Sequence, residues 1–173
     1  MKKPLIVFII LLIMPVTVYA SQCMESFTLS SLEKLKKENF EISSVNERNK
    51  TAIKLLSCIG YQDPKIRDDI VYEGISYWLR NKLLEPNTIR VMFNILINIL
   101  EQRNQDTNNF TQPFSALVFS EVIRVDRISS FLSNIERQRA LDVSTRYMSN
   151  IKDYRAFDNT KGCLLYTSPS PRD

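Results

Sequence analysis

Apolar residues recur at intervals of three and four through most of residues 30–152, the spacing of one face of a helix. Ser30-Ser31-Leu32-Glu33 has the form of a capping box and opens a first helix to about Phe40, with Leu32, Leu35 and Phe40 as its stripe. A second helix runs from about Asn46 to Ile59, turns Ile53, Leu55 and Leu56 inward, and stops at Gly60. Asp63 caps a third, and Pro64 at its first position loses no needed hydrogen bond. Its face is Ile66, Ile70, Val71, Ile75, Trp78 and Leu79. Gly74 inside it costs roughly 1 kcal/mol against alanine, which predicts close approach by a neighbouring helix.

Pro86 begins a fourth helix, to about Arg103. Val91, Met92, Phe93, Ile95, Leu96, Ile97, Ile99 and Leu100 leave only the polar stripe Arg90, Asn94, Asn98 and Glu101. A helix this apolar is buried. After a polar loop to Gln112, a fifth helix follows Pro113 to about Val125, and Ser129 to Leu132 forms one turn. Ser133-Asn134-Ile135-Glu136 is a second capping box and opens a sixth helix to about Lys152. Asp153 to Asp158 reads as an ordered loop.

Composition agrees with the periodicity. Three glycines in 173 residues are few for the tight turns of a β-rich protein, and the prolines stand at helix starts. The expected class is all-α: antiparallel helix pairs, arranged as an α-solenoid of the HEAT/ARM kind or as an irregular helical bundle. Asp63-Pro64-Lys65-Ile66-Arg67, a turn followed by an arginine early in the inner helix, is similar to one HEAT-type repeat.

The two ends are of another kind. Met1-Lys2-Lys3, the apolar run Leu5 to Val18 and Val18-Tyr19-Ala20 follow the order of a signal peptide cleaved after Ala20. The run is shorter than the about 20 residues of a membrane span and carries Pro15; a retained anchor is the alternative. Residues Cys163 to Asp173 read as the translation of a transposon-based sequencing-library adapter, which sets them apart as a non-native tail. The expected organisation is therefore a signal peptide at 1–20, a helical domain at 21–162 and the tail at 163–173. The domain has about 140 residues, enough for one core. The formal charge of +4 falls to near +2 without the leader, too even for a nucleic-acid surface. The expected location is outside the cytoplasm, in the periplasm of a Gram-negative bacterium, with no membrane attachment after cleavage. Cys23 and Cys58 there form a disulfide, against the alternative of one exposed and one buried thiol.

Candidate chemistry is sparse. The chain has no histidine, so His-dependent triads and His metal sites are excluded from the readable part. It has no Gly-rich phosphate loop and no CxxC motif, and no cofactor is evident. Asn49-Lys50-Thr51 and Asn109-Phe110-Thr111 fit the glycosylation pattern, which matters only on a eukaryotic secretory route. Glu121 shares a face with Phe114, Leu117, Val118, Val122 and Val125, and a carboxylate there needs a partner. Arg124 is one turn away; Arg127, Arg67 and Arg155 are further candidates. The cluster is either a buried ion pair that fixes helix register or a polar pocket. Arg67-Asp68 and Asp126-Arg127 read as surface or capping pairs. Tyr72 and Trp78 read as core. The ligand-binding candidates are thus Arg67, Asp68, Glu121, Arg124, Arg127 and the loop residues Asp153, Tyr154, Arg155 and Asp158.

Five blocks, in order, carry a family resemblance: Leu55 to Cys58, Asp63 to Tyr72, Phe114 to Val122, Asp126-Arg127 and Lys152 to Asp158. Over Phe27 to Gly162 they resemble an uncharacterised bacterial family, domain of unknown function 2785. The resemblance implies a helical, repeat-like protein with no established activity. It also implies that the family continues past the equivalent of Gly162 into a helix with two histidines a turn apart. Two functional expectations follow, the first from the missing catalytic sets and the solenoid-like helices and the second from the resemblance. One is a periplasmic helical binding or scaffold module for an unidentified protein or small molecule. The other is a hydrolase or metal-dependent enzyme whose histidines lie in that further segment, with Glu121, Asp153 or Asp158 as their partners.

Overall fold

A computed structural model describes residues 19–102, 110–151, 157–158 and 162–163, with side chains described over 23–102 and 110–151. The chain is all-α over these residues apart from one two-residue strand pair. The helices are α1 (Tyr19–Ser26), α2 (Leu29–Lys37), α3 (Val45–Leu55), α4 (Pro64–Ile66), α5 (Glu73–Arg80), α6 (Pro86–Glu101), α7 (Thr111–Ile128) and α8 (Asn134–Asn150). A 3₁₀ turn, Leu56–Cys58, continues α3, and a π-helical stretch, Arg67–Tyr72, joins α4 to α5. Strands β1 (Phe157–Asp158) and β2 (Gly162–Cys163) pair antiparallel. The loop expected at 153–158 therefore ends in a strand, and its remainder lies outside the described residues, as does the leader up to Val18.

The caps explain most of the boundaries. Asp63 accepts from Lys65 N at 2.9 Å, and Pro64 follows at the first position. Ser133 and Glu136 close the expected capping box on α8. The box expected at Ser30 and Glu33 forms earlier: Thr28 caps α2, and the Ser31 hydroxyl, not a glutamate, returns to Thr28 N at 3.0 Å. Hydroxyls satisfy the same amides as a carboxylate would, so the register moved without loss. Pro113 lies inside the first turn of α7, two residues after its start.

Helices α6 and α7 form the central antiparallel pair, with α3 and α8 flanking α6 and α5 flanking α7. The expected faces are buried: Ile66, Ile70, Val71, Ile75, Trp78 and Leu79 on the third helical unit, and Met92, Phe93, Leu96, Ile97, Ile99 and Leu100 on α6. Val91 departs from this and is 43% exposed, on the outer side of α6. Phe93 and Phe119 stack at 5.7 Å between centroids across the central pair.

Gly74 has its expected reason, with a different neighbour. A methyl there would lie 2.8 Å from Cδ1 of Phe40, a side chain in the turn after α2 and not a helix backbone. Asn39 and Phe40 both take left-handed backbone angles (φ 52° and 61°), costing about 1–2 kcal/mol each. What holds them is the Phe40 ring in the Gly74 notch, its edge-on contact with Trp78 and the Trp78 Nε1–H donated to Phe40 O at 2.8 Å.

Cys23 and Cys58 form the expected disulfide and are fully buried. It ties α1 to the 3₁₀ turn across a separation of 35 residues, a constraint on the unfolded chain worth on the order of 3–4 kcal/mol. No described helix is long and apolar enough to cross a membrane.

Candidate functional site

Glu121 sits on the buried face of α7, as its position among Phe114, Val118 and Val122 requires, and its side chain is 8% exposed. Two arginines hold it. Arg124, one turn on, donates Nε–H to Oε2 at 2.9 Å, as the sequence suggested. Arg80, at the end of α5, donates Nε–H to Oε2 at 3.1 Å and Nη2–H to Oε1. Burial pushes the Glu121 carboxyl up, but the hydrogen bonds from Arg80 and Arg124 outweigh it and the net direction is down. Glu121 is therefore an anion at neutral pH, and its bond holds Arg80 charged above the ordinary guanidinium value.

The arrangement leaves cationic surface. Arg80 is 54% exposed and Arg124 33% exposed. Arg124 spends only Nε on Glu121, so its Nη1 and Nη2 fork has no partner among the described residues. One carboxylate beneath two guanidiniums gives the cluster a net positive charge. Arg127 stands exposed one turn further along α7 and does not reach Glu121. Exposed, ordered guanidinium forks bind carboxylates and phosphates.

Arg67 is not a surface residue and does not approach Glu121. Its side chain is 4% exposed, with its guanidinium between the rings of Phe110 (4.0 Å) and Phe114 (4.5 Å). It donates to Asp68 Oδ1 at 2.7 Å and to the carbonyls of Tyr61 and Gln62 at 3.3 and 3.2 Å. Arg67 and Asp68 therefore join the turn before α4 to the start of α7.

Asp126 also departs from the surface reading. It is buried, and Oδ1 accepts from Phe131 N and Leu132 N, each at 2.8 Å. Arg137, not the adjacent Arg127, closes the site, with Nε 2.7 Å from Oδ2. The expected turn at 129–132 is accordingly absent: the segment is held open by Asp126 instead of by its own hydrogen bonds. Arg137 and then burial and the two amides set the Asp126 carboxyl, whose net position is lowered to about 2. Alongside, Arg90 reaches both Glu136 oxygens at 2.5 Å and the Phe131 carbonyl. Arg90, with the Ser133 amide, lowers Glu136 to about 2. Charged groups thus staple the α7–α8 connection.

Asn49 is unsuited to glycosylation. It is buried, donates Nδ2–H to Glu85 Oε2 at 2.8 Å and accepts from Glu85 N at 3.2 Å. Asn109 lies outside the described residues, as do Asp153, Tyr154 and Arg155 and the side chain of Asp158. Among the described residues no group of three His, Cys, Asp or Glu side chains is placed to hold a metal ion. Sequence reasoning missed Arg80, which stands at the end of an amphipathic helix. A favourable arginine at a helix C-terminus was its only signal.

The family described as "Protein of unknown function (DUF2785)" matches the chain over residues 95–164. The matched stretch holds Glu121, Arg124 and the Asp126 staple, and is narrower than the Phe27-to-Gly162 resemblance drawn from the sequence. No curated protein and no solved structure matches the chain. Over residues 95–164, from the middle of α6 through β2, the chain is similar to this family of unknown function, DUF2785.

Proposed function

We propose that the protein is an exported helical binding module, working in the periplasm of a Gram-negative bacterium, that holds an anionic group of its ligand against the α5–α7 face. The observation that carries the proposal is the buried Glu121 carboxylate with two partly exposed guanidiniums fixed above it. A flexible surface arginine loses side-chain entropy when it binds, whereas Arg80 and Arg124 have already lost it to Glu121. Export is supported by the basic and apolar leader and by a buried disulfide, which persists in oxidising compartments. Binding by an extended face is supported by the layering of α3, α6 and α8 on one side and α5 and α7 on the other. That layering is similar to the helix stacking of α-solenoids, which use one layer as a binding surface.

The test is calorimetric titration of the full chain and of the Arg80→Gln/Arg124→Gln variant with succinate, inorganic phosphate and a hexaglutamate peptide. The three arms separate small carboxylates, phosphates and acidic polypeptides as sources of the anionic group. At least one binds the native chain, and the double variant binds it about tenfold or more weakly, since a hydrogen bond to a charged group contributes about 1.5–3 kcal/mol. No binding in any arm, or equal affinity for the variant, overturns the proposal.

A further inference from the structure

A second site lies away from this face, where the turn after α3, the C-terminal half of α6 and the first residue of α7 meet. They line an open pocket of about 320 Å³. It has room for roughly ten waters at about 30 Å³ each. It falls at the small end of ligand pockets, about 300–1,000 Å³.

The walls are built and held. Leu56, Ile95 and Ile99 supply an apolar floor. Gly60 is required where it stands, because a methyl there would collide with Thr111 Oγ1. Arg67, clamped between Phe110 and Phe114 and bonded to the carbonyls of Tyr61 and Gln62, fixes the Gly60 turn against the start of α7. The polar groups gather at the rim. Thr111 Oγ1 has no hydrogen-bond partner among the described residues. The Ser57 hydroxyl donates to Lys54 O and keeps its lone pairs, and Asn98 uses Oδ1 on Arg139 at 3.4 Å and keeps its NH₂ group. None of the described lining residues is ionisable.

From these features we propose that the cavity binds a small neutral amphiphile, with an apolar body on Leu56, Ile95 and Ile99 and one hydroxyl or carbonyl at Thr111, Ser57 and Asn98. The described lining residues carry no charge, and the Arg139 guanidinium that reaches Asn98 is already matched by Glu101, so a charged head would give up hydration without a free counter-charge. The proposal is independent of the Arg80 and Arg124 face.

The experiment is chemical-shift mapping of the ¹⁵N-labelled full chain titrated with 1-hexanol, hexanoate and hexylammonium. Hexanol should give saturable shifts at Leu56 to Gly60, Ile95 to Gln102 and Thr111, and the charged analogues should bind about tenfold or more weakly. Ile95→Phe, which fills the floor, should abolish the hexanol shifts. Thr111→Val, close in shape, should weaken them with the rest of the spectrum unchanged, and it serves where Ile95→Phe does not fold. Absent saturation, shifts centred elsewhere, equal affinity for a charged analogue, or hexanol binding unchanged in a folded Ile95→Phe or Thr111→Val chain would each overturn the proposal.

Discussion

Replacing Asp126 with asparagine removes one charge from the α7–α8 connection and changes little in shape. An asparagine oxygen in the place of Oδ1 still accepts from Phe131 N and Leu132 N, while its NH₂ group would face Arg137 Nε, donor against donor. The native carboxyl is lowered to about 2 from 3.8. At about 1.4 kcal/mol per unit, that difference corresponds to about 2–3 kcal/mol at neutral pH. Arg137 is 39% exposed, so screening by solvent reduces the expected loss to about 1–2 kcal/mol. The sign gives a second handle. A carboxyl lowered by folding stabilises above its unfolded value and ceases to do so as pH falls through its folded one. The native advantage over Asp126→Asn should therefore be full above about pH 5, shrink below 3.8 and vanish near 2. Glu136 loses its contribution between 4.5 and about 2 in both proteins, so the difference between them isolates Asp126. Urea unfolding of both chains at pH 7, 4, 3 and 2 measures it. A difference below about 0.5 kcal/mol at pH 7, or one that does not change with pH, would refute the reasoning.

Gly74→Ala should destabilise by about 1–2 kcal/mol by urea unfolding, because crowding of the Phe40 ring exceeds the roughly 1 kcal/mol gained in helix propensity. Substituting serine for both Cys23 and Cys58 should cost on the order of 3 kcal/mol by the same measurement, and reductant should then have no further effect. Glu121→Gln should cost about 1–2 kcal/mol, since three charge-assisted hydrogen bonds weaken while both arginines can still reach water. An unchanged midpoint in Glu121→Gln would show that the carboxylate does not hold the arginines.

Helix faces were legible because burial of an apolar stripe is dictated locally. The run from Ile66 to Leu79 has the 3.6-residue period whatever packs on it, and every residue named from it is buried. The disulfide was legible for a similar reason: outside residues 163–173, Cys23 and Cys58 are the two cysteines and have one pairing open to them. Partners across the fold were not. Arg80 precedes Glu121 by 41 residues, and nothing in either segment encodes that α5 lies beside α7. Asp126 looked like half of an adjacent pair, yet its partners are amides five and six residues on and an arginine eleven on. They meet only because α8 turns back against α6. The cavity was illegible for the same reason, since its walls come from three separated segments.

The central claim is that Glu121 fixes Arg80 and Arg124 as an anion-binding pair. Following the arginine Nε–Hε signals of the ¹⁵N-labelled full chain during titration with succinate, inorganic phosphate and hexaglutamate tests it most directly. Saturable, coincident shifts of Arg80 and Arg124 are expected with at least one of these, lost in Glu121→Gln, while the separate guanidinium of Arg139 stays still. Shifts that grow linearly and equally at all exposed arginines, or none at Arg80 and Arg124, would contradict it.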